Sequence, residues 1–326
     1  MSGRHRQGLY WLARRRYPSR LAPPTREARL DTVPGVAFNS RSRPRGIPFP
    51  FDGPSTLLSL KDRTAVVTGA AGGIGRAIAT SLARRGCHLA LADIDEANLE
   101  RTAAKLAALG VRVSRHRLDV ADAAAVAAFP GVVTAEHPGV DILVNNAGVA
   151  MGGTFEQIAL ADFEWLFNIN FWGVVRMTRA FLPLLHRSDE ARLVNLSSLF
   201  GLVAPPGQTA YAASKFAVRG FSESLRHELA KTRIGVSVVH PGGVATSIAK
   251  NARPPQGVPI AELLKLRQAF DSFLTLPPDV AGETIVRGVE QRRPRILVGS
   301  DSKFAALVER LAPVNYWRFL DRGKKR

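Results

Sequence analysis

The chain has 326 residues but only one cysteine, Cys87. A single thiol excludes an intrachain disulfide and a thiolate metal cluster, and it fits a reducing compartment such as the cytoplasm. Long apolar runs are also missing, and none approaches the roughly 20 residues that a spanning helix requires. The N-terminus does not read as a signal peptide, because "GLYWLA" is short and "RRR" follows it at once. No methionine lies between Met1 and Met151, so residues 1–59 read as either a functional lead or an over-long gene start. Acidic residues are scarce, 27 against 45 basic ones, for a formal net charge of +18.

That excess sits mostly at the ends. Residues 1–50 hold eleven arginines against Glu27 and Asp31, and the chain closes on "YWRFLDRGKKR". Such ends read as solvated basic tails. With Tyr10, Trp11 and Tyr17 interleaved, they also suit peripheral contact with an anionic membrane surface. No specific nucleic-acid recognition is expected, because the body of the chain carries no binding motif for it.

Residues 1–59 are rich in proline and arginine with little periodicity and read as an extended or disordered lead, with Phe49 and Phe51 as docking points. From Leu60 a regular alternation begins. "TAVVTG", "HLALAD", "VRVSRHRLDV", "VDILVNNAG", "ARLVNLSS", "IGVSVVHPGG" and "PRILVG" read as seven strands. Helical stretches separate them, among them "ADFEWLFNINFWGVVRMTRAFLPLL" and "SKFAVRGFSESLRHELA". Strands alternating with long helices predict a parallel α/β sheet, doubly wound and Rossmann-like, with helices on both faces. The expected organisation is one domain over residues 60–300, followed by a helical, basic tail at 301–326.

"TGAAGGIG", Thr68–Gly75, follows the first strand and opens a helix, the context that a dinucleotide fingerprint needs. Gly69 suits the tight turn and Gly75 a close approach of helix to sheet. Gly73 brings backbone N–H groups toward a pyrophosphate at the helix start. Asp93 ends the second strand, 24 residues after Gly69. A carboxylate there accepts the hydrogen bonds of an adenosine ribose and repels a 2′-phosphate, which favours NAD over NADP. Arg76 keeps NADP open, and Asp95 is the better candidate to cap the following helix.

Tyr211 and Lys215 stand one helical turn apart in "TAYAASKFAVRG". Hydride exchange at a carbinol carbon needs a proton to move on its oxygen. A tyrosine near its reference pKa of about 10 needs help to act as the base at neutral pH. A lysine on the same helix face favours the phenolate and lowers that pKa. Ser198 leaves a strand end to orient the substrate oxygen, and Ser197 is the weaker candidate. His240, Cys87 and His227 have no partners at metal or triad spacing, so no metal site is expected.

Together these motifs resemble the short-chain dehydrogenase/reductase (SDR) family over about Lys61–Gly299. The family's glycine motif matches Thr68–Gly75, including Ala71 and Ile74, and its adenine-side pair matches Asp119 and Val120. Its "NNAG" falls on Asn145, Asn146, Ala147 and Gly148, and its helix asparagine on Asn170. Ser198 and Tyr211 keep the family's 13-residue spacing, and "PGGVAT" places Pro241, Gly242, Val244 and Thr246 along the nicotinamide. The resemblance implies an NAD(P)-dependent oxidoreductase with Asn170, Ser198, Tyr211 and Lys215 as catalytic residues. In it, Asn170 supports a water-mediated proton relay from Lys215. It also implies a substrate lid over about 247–278 and pairing of two long helices into a homodimer or homotetramer. The apolar residues Leu199, Phe200, Leu202, Val203 and Ala204, with the lid, suit a lipophilic alcohol, ketone or aldehyde. The alternative function is a non-catalytic nicotinamide redox sensor that uses its basic ends for partner or membrane contact.

Overall fold

The computed structural model describes residues 57–255 and 257–321. The lead through residue 56, with Phe49 and Phe51, and the last five residues lie outside the described residues, as do the expected contacts of both basic ends. Ser55–Arg326 is one compact unit. Packing begins slightly before Leu60, since the Leu58 side chain is already buried and its N–H donates to Glu290 O at 2.9 Å.

The strands are β1 (Thr64–Thr68), β2 (His88–Asp93), β3 (Val113–Arg117), β4 (Ile142–Asn145), β5 (Ala191–Leu196), β6 (Ile234–Pro241) and β7 (Arg295–Val298). They form one seven-stranded sheet in the order β3-β2-β1-β4-β5-β6-β7, parallel throughout. All of β1 and β5 is buried, as expected of strands covered on both faces. One apolar layer joins Val67, Leu89 and Leu91 to Ile78 and Leu82 of α1 (Gly73–Ala83), Leu99 of α2 (Glu96–Ala107) and Ile285 of α8 (Pro278–Glu290). The opposite layer joins Val66, Leu143 and Leu193 to Phe129 of α3 (Ala123–Glu136) and Phe181 of α5 (Gly173–Leu185). The strand order reverses between β1 and β4, which opens a crevice at their carboxyl ends, the usual ligand position in such sheets.

The stretch expected as one helix before β5 is interrupted. It runs as α4 (Leu160–Phe167), a π turn over Asn168–Trp172, and then α5. A single π turn in an α-helix often marks a functional position. The aromatic surplus seen in this stretch is largely used inside the chain. Phe181 is fully buried, Phe171 meets Phe221 of α6 (Thr209–Glu228), and the Arg253 guanidinium lies 3.5 Å from the Trp165 ring centroid. Trp172 and Phe216 remain partly exposed.

After β6 come the segment expected to form a lid, with α7 (Ile260–Asp271), then α8, β7, α9 (Ser300–Leu311) and α10 (Tyr316–Asp321). The described part of the tail holds α9 and α10. It also builds a third apolar cluster, in which Ala305 and the partly buried Tyr316 and Leu320 cover Leu199, Leu202 and Val203.

Candidate active site

The crevice starts at the glycine turn. Gly69 has a φ of +66°, and a Cβ there would fall 2.7 Å from Asn146 Nδ2. At Gly75 a Cβ would fall 2.0 Å from Gly69 O, so the turn and α1 pass too closely for any side chain. Asn146 locks the arrangement, with Nδ2 donating to Thr68 O at 2.9 Å and Gly69 O at 3.1 Å. Asn145 ties the neighbouring strand, donating to Asn195 Oδ1 at 2.9 Å and Thr178 Oγ1 at 3.1 Å.

The first turn of α1 has no side-chain cap and no acidic residue. Its N–H groups therefore suit an anion, and Ile74 packs on the core behind them. A Cβ at Gly73 would lie 3.2 Å from the Thr246 methyl, which brings the "PGGVAT" segment to the edge of this cradle. Asp93 sits beside it, accepting from Ala71 N at 2.9 Å and Asp95 N at 3.0 Å. These bonds fix the carboxylate at the end of β2 and leave lone pairs for further donors. Asp95 caps α2 through Asn98 N, as expected. Asp119 accepts from Ala121 N at 2.8 Å, and Val120 is buried against Gly173. The residues present fit a dinucleotide.

The four expected catalytic residues converge at the far end of the crevice. Tyr211 and Lys215 lie on α6, and the Lys215 ammonium is 5.7 Å from the Tyr211 ring centroid. Lys215 Nζ donates to Leu196 O at 3.2 Å. Burial drives its pKa down to about 8. Burial pushes the Tyr211 phenol above its ordinary value, and a hydrogen bond with the Ser198 hydroxyl acts the other way. The lysine's expected lowering of the tyrosine is not among the causes of that shift. Ser198 Oγ also accepts from Phe200 N at 3.1 Å, which fixes its side chain. Ser197 points elsewhere, with its hydroxyl donating to Lys215 O at 2.8 Å.

Asn170 lies in the π turn and is fully buried. Its Oδ1 accepts from Val149 N at 2.8 Å, and its Nδ2 donates to Val149 O at 3.0 Å and Ser214 Oγ at 3.2 Å. A Cβ at Gly148 would come within 3.1 Å of Asn170 Oδ1 and 3.4 Å of Lys215 Nζ. Ala147 N donates to Thr68 Oγ1 at 3.0 Å.

Three supports were not apparent in the sequence. Asp301 accepts from Gly243 N at 2.7 Å and so pins the segment of Pro241, Gly242 and Val244. Buried His240 meets Ser198 O through Nδ1 at 3.0 Å, and its backbone oxygen accepts from Ser302 Oγ at 2.7 Å. Arg253 pairs with Asp162 at 2.7 Å and covers Trp165, fastening the start of the expected lid segment to α4. Of the expected substrate-facing residues, Phe200 stands 6.2 Å from the Tyr211 ring, whereas Leu202 and Val203 are buried under the C-terminal helices. Among the described residues no group of His, Cys, Asp and Glu could hold a metal ion.

This geometry, a nucleotide cradle ending at a serine, tyrosine and buried lysine, defines a Rossmann-like oxidoreductase. The short chain dehydrogenase profile matches residues 63–257, and the chain belongs to that family. It is an NAD(P)-dependent enzyme of the short-chain dehydrogenase/reductase type. SadH of Mycobacterium tuberculosis, classed as an oxidoreductase, is 41% identical over 270 residues, covering 82% of this chain and 97% of SadH. A short-chain dehydrogenase/reductase from Burkholderia phymatum in complex with NAD superposes with a TM-score of 0.73 at 31% identity, covering 78% of this chain and 95% of that one. The alcohol dehydrogenase of Thermococcus sibiricus, complexed with 5-hydroxy-NADP, gives a TM-score of 0.58 at 29% identity, covering 73% and 96%.

Proposed function

We propose that the protein interconverts a lipophilic secondary alcohol and its ketone, or an alcohol and its aldehyde, with NAD preferred over NADP. The observation that carries this reading is the Tyr211 hydroxyl held beside Ser198 with the buried Lys215 ammonium behind it. The nicotinamide ring, when bound, supplies or accepts the hydride. Ser198 donates to the substrate oxygen and orients it, and Tyr211 exchanges the proton on that oxygen. Lys215, with a pKa of about 8, is mostly protonated at neutral pH but can still release a proton. It therefore suits both electrostatic support of a phenolate and a relay to solvent. Asn170 holds Val149 and Ser214 in place around the lysine, and the π turn loosens the carbonyl ladder beside that path. Apolar Phe200 beside Tyr211 favours a lipophilic substrate over a charged one.

The NAD preference rests on Asp93 at the end of β2. Titration of both oxidised cofactors against Asp93→Ala should show weaker NAD binding and relaxed discrimination against NADP. Unchanged affinity for each cofactor would remove Asp93 from the ribose site. Turnover of medium-chain and cyclic secondary alcohols, followed by nicotinamide absorbance, tests the reaction itself.

The remaining exposure of Trp172 and Phe216, on neighbouring elements, supports a homodimer or homotetramer. Light scattering at micromolar concentration should report at least a dimer in low and moderate salt, and a monodisperse monomer in both would end that reading. The basic ends support peripheral contact with an anionic membrane from the cytoplasm.

A further inference from the structure

Helix α9 carries its apolar residues the wrong way round for a water-facing helix. Its inner face is made of small residues, with Ser302 and Ala305 buried and Ala306 packed on the third cluster. Its outer face presents Phe304, Leu307 and Leu311, spaced three and four apart, each more than half exposed. The turn to α10 adds Val314, 86% exposed, and α10 adds Phe319. Side chains of this size normally fill a core. Here five of them are exposed along α9 and α10, and Leu311, Val314 and Phe319 line one open cavity with Arg318.

The exposed charges around them are mostly of one sign, although α10 itself ends on Asp321. Between residues 300 and 320, the exposed charged side chains are Lys303, Arg310 and Arg318. The acidic residues of the same segment are turned inward: Asp301 accepts from Gly243 N, and Glu309 is partly buried. The sequence then continues as "RGKKR" directly after α10. An apolar face edged by cations matches an anionic bilayer, whose acyl region takes the side chains while its headgroups meet the lysines and arginines.

We infer that the α9–α10 hairpin is a membrane-docking surface, with Phe304, Leu307, Leu311, Val314 and Phe319 entering the headgroup and acyl boundary of an anionic leaflet. This rests on the proposed reading of the basic ends and adds the apolar face which that reading does not use. The inner side of the same hairpin covers Leu199, Leu202 and Val203, which follow Ser198 in the chain. Docking therefore sets the membrane against the part of the fold that supports the segment after Ser198.

The test is co-sedimentation of the full chain with vesicles of 30% phosphatidylglycerol in phosphatidylcholine, compared with pure phosphatidylcholine. Leu311→Ser/Val314→Ser removes apolar area without changing charge, and circular dichroism verifies that it folds. The inference expects parent protein to sediment with the anionic vesicles and the double variant to partition at least ten-fold less. Arg310→Gln/Arg318→Gln should also weaken binding, by about five-fold for each cation removed. Parent-like sedimentation of the Leu311→Ser/Val314→Ser protein would overturn the inference while leaving the basic-ends reading intact. No sedimentation of the parent protein would end both. A fall in molar mass of that double variant by light scattering would assign the face to a second copy of the chain, and so would also overturn it.

Discussion

The cofactor side and the substrate side of this enzyme are held together by different means. On the cofactor side, β1, α1 and β4 meet through backbone groups and amides at distances that exclude side chains. The absence of a Cβ at Gly75 and the two bonds of Asn146 set that geometry. On the substrate side, and along the segment expected to line the nicotinamide, single side chains from distant parts of the chain do the fastening: His240 on Ser198, Asp301 on Gly243, and Arg253 on Asp162 and Trp165. The first construction tolerates almost no substitution and holds one shape. The second changes through individual contacts, which suits a region that must differ between substrates.

The largest effect that would sharpen this contrast lies where the two sides meet. Tyr211→Phe should lower kcat on an active alcohol by on the order of 10²–10⁴ while NAD affinity stays within a few-fold. The cofactor side would then be intact without its chemistry. A kcat within two-fold of the parent would remove Tyr211 from the mechanism.

A smaller effect concerns His240. Burial lowers its pKa from the ordinary 6.5 to about 4. Between those values the unfolded chain binds a proton that the folded chain refuses, so stability falls as pH drops from 6.5 toward 4. The full loss from this residue is on the order of 3 kcal/mol. Thermal melts from pH 7.5 to 4.5 should show the decline, and His240→Gln should flatten it in part. Part of the slope should remain, because His116 and His137 are shifted the same way, mainly by burial. An unchanged slope in the variant would show that His240 is not the group that titrates.

The smallest expected effect is at the lid. Arg253 and Asp162 are partly exposed, so their pair and the stacking on Trp165 are together worth about 1 kcal/mol or less. Arg253→Ala should raise KM a few-fold with kcat near the parent value, and limited proteolysis should cut the 247–259 stretch faster. Equal proteolysis rates would mean that the lid is held by other contacts.

The same contrast explains what could be read in advance. The glycine turn, the Tyr211 and Lys215 pair and the sheet alternation are local patterns, with meaning fixed by spacing within one element. Asp301 and Gly243 are 58 residues apart, and Arg253 and Asp162 are 91 apart. No periodicity links such pairs, so folding alone reveals them. The reading of Leu202 and Val203 as substrate-facing failed for the same reason, because their cover comes from residues far later in the chain, from Phe273 to Leu320. The helix through Asn170 was legible as a helix. Its break was not, since "NINFW" has no proline or glycine to announce one.

That break has a consequence for length. Leu166 and Leu185 are both fully buried, yet 19 residues of uninterrupted α-helix would turn them about 100° apart. The wider turn at Asn168–Trp172 takes up roughly one surplus residue and so resets the phase of α5 relative to α4. The segment is thus tuned by the number of its residues as well as by their identity. Shortening 168–172 by one would straighten the helix and swing either Asn170 or the Phe181 face out of register. A scan of substitutions, however complete, would leave that requirement unseen.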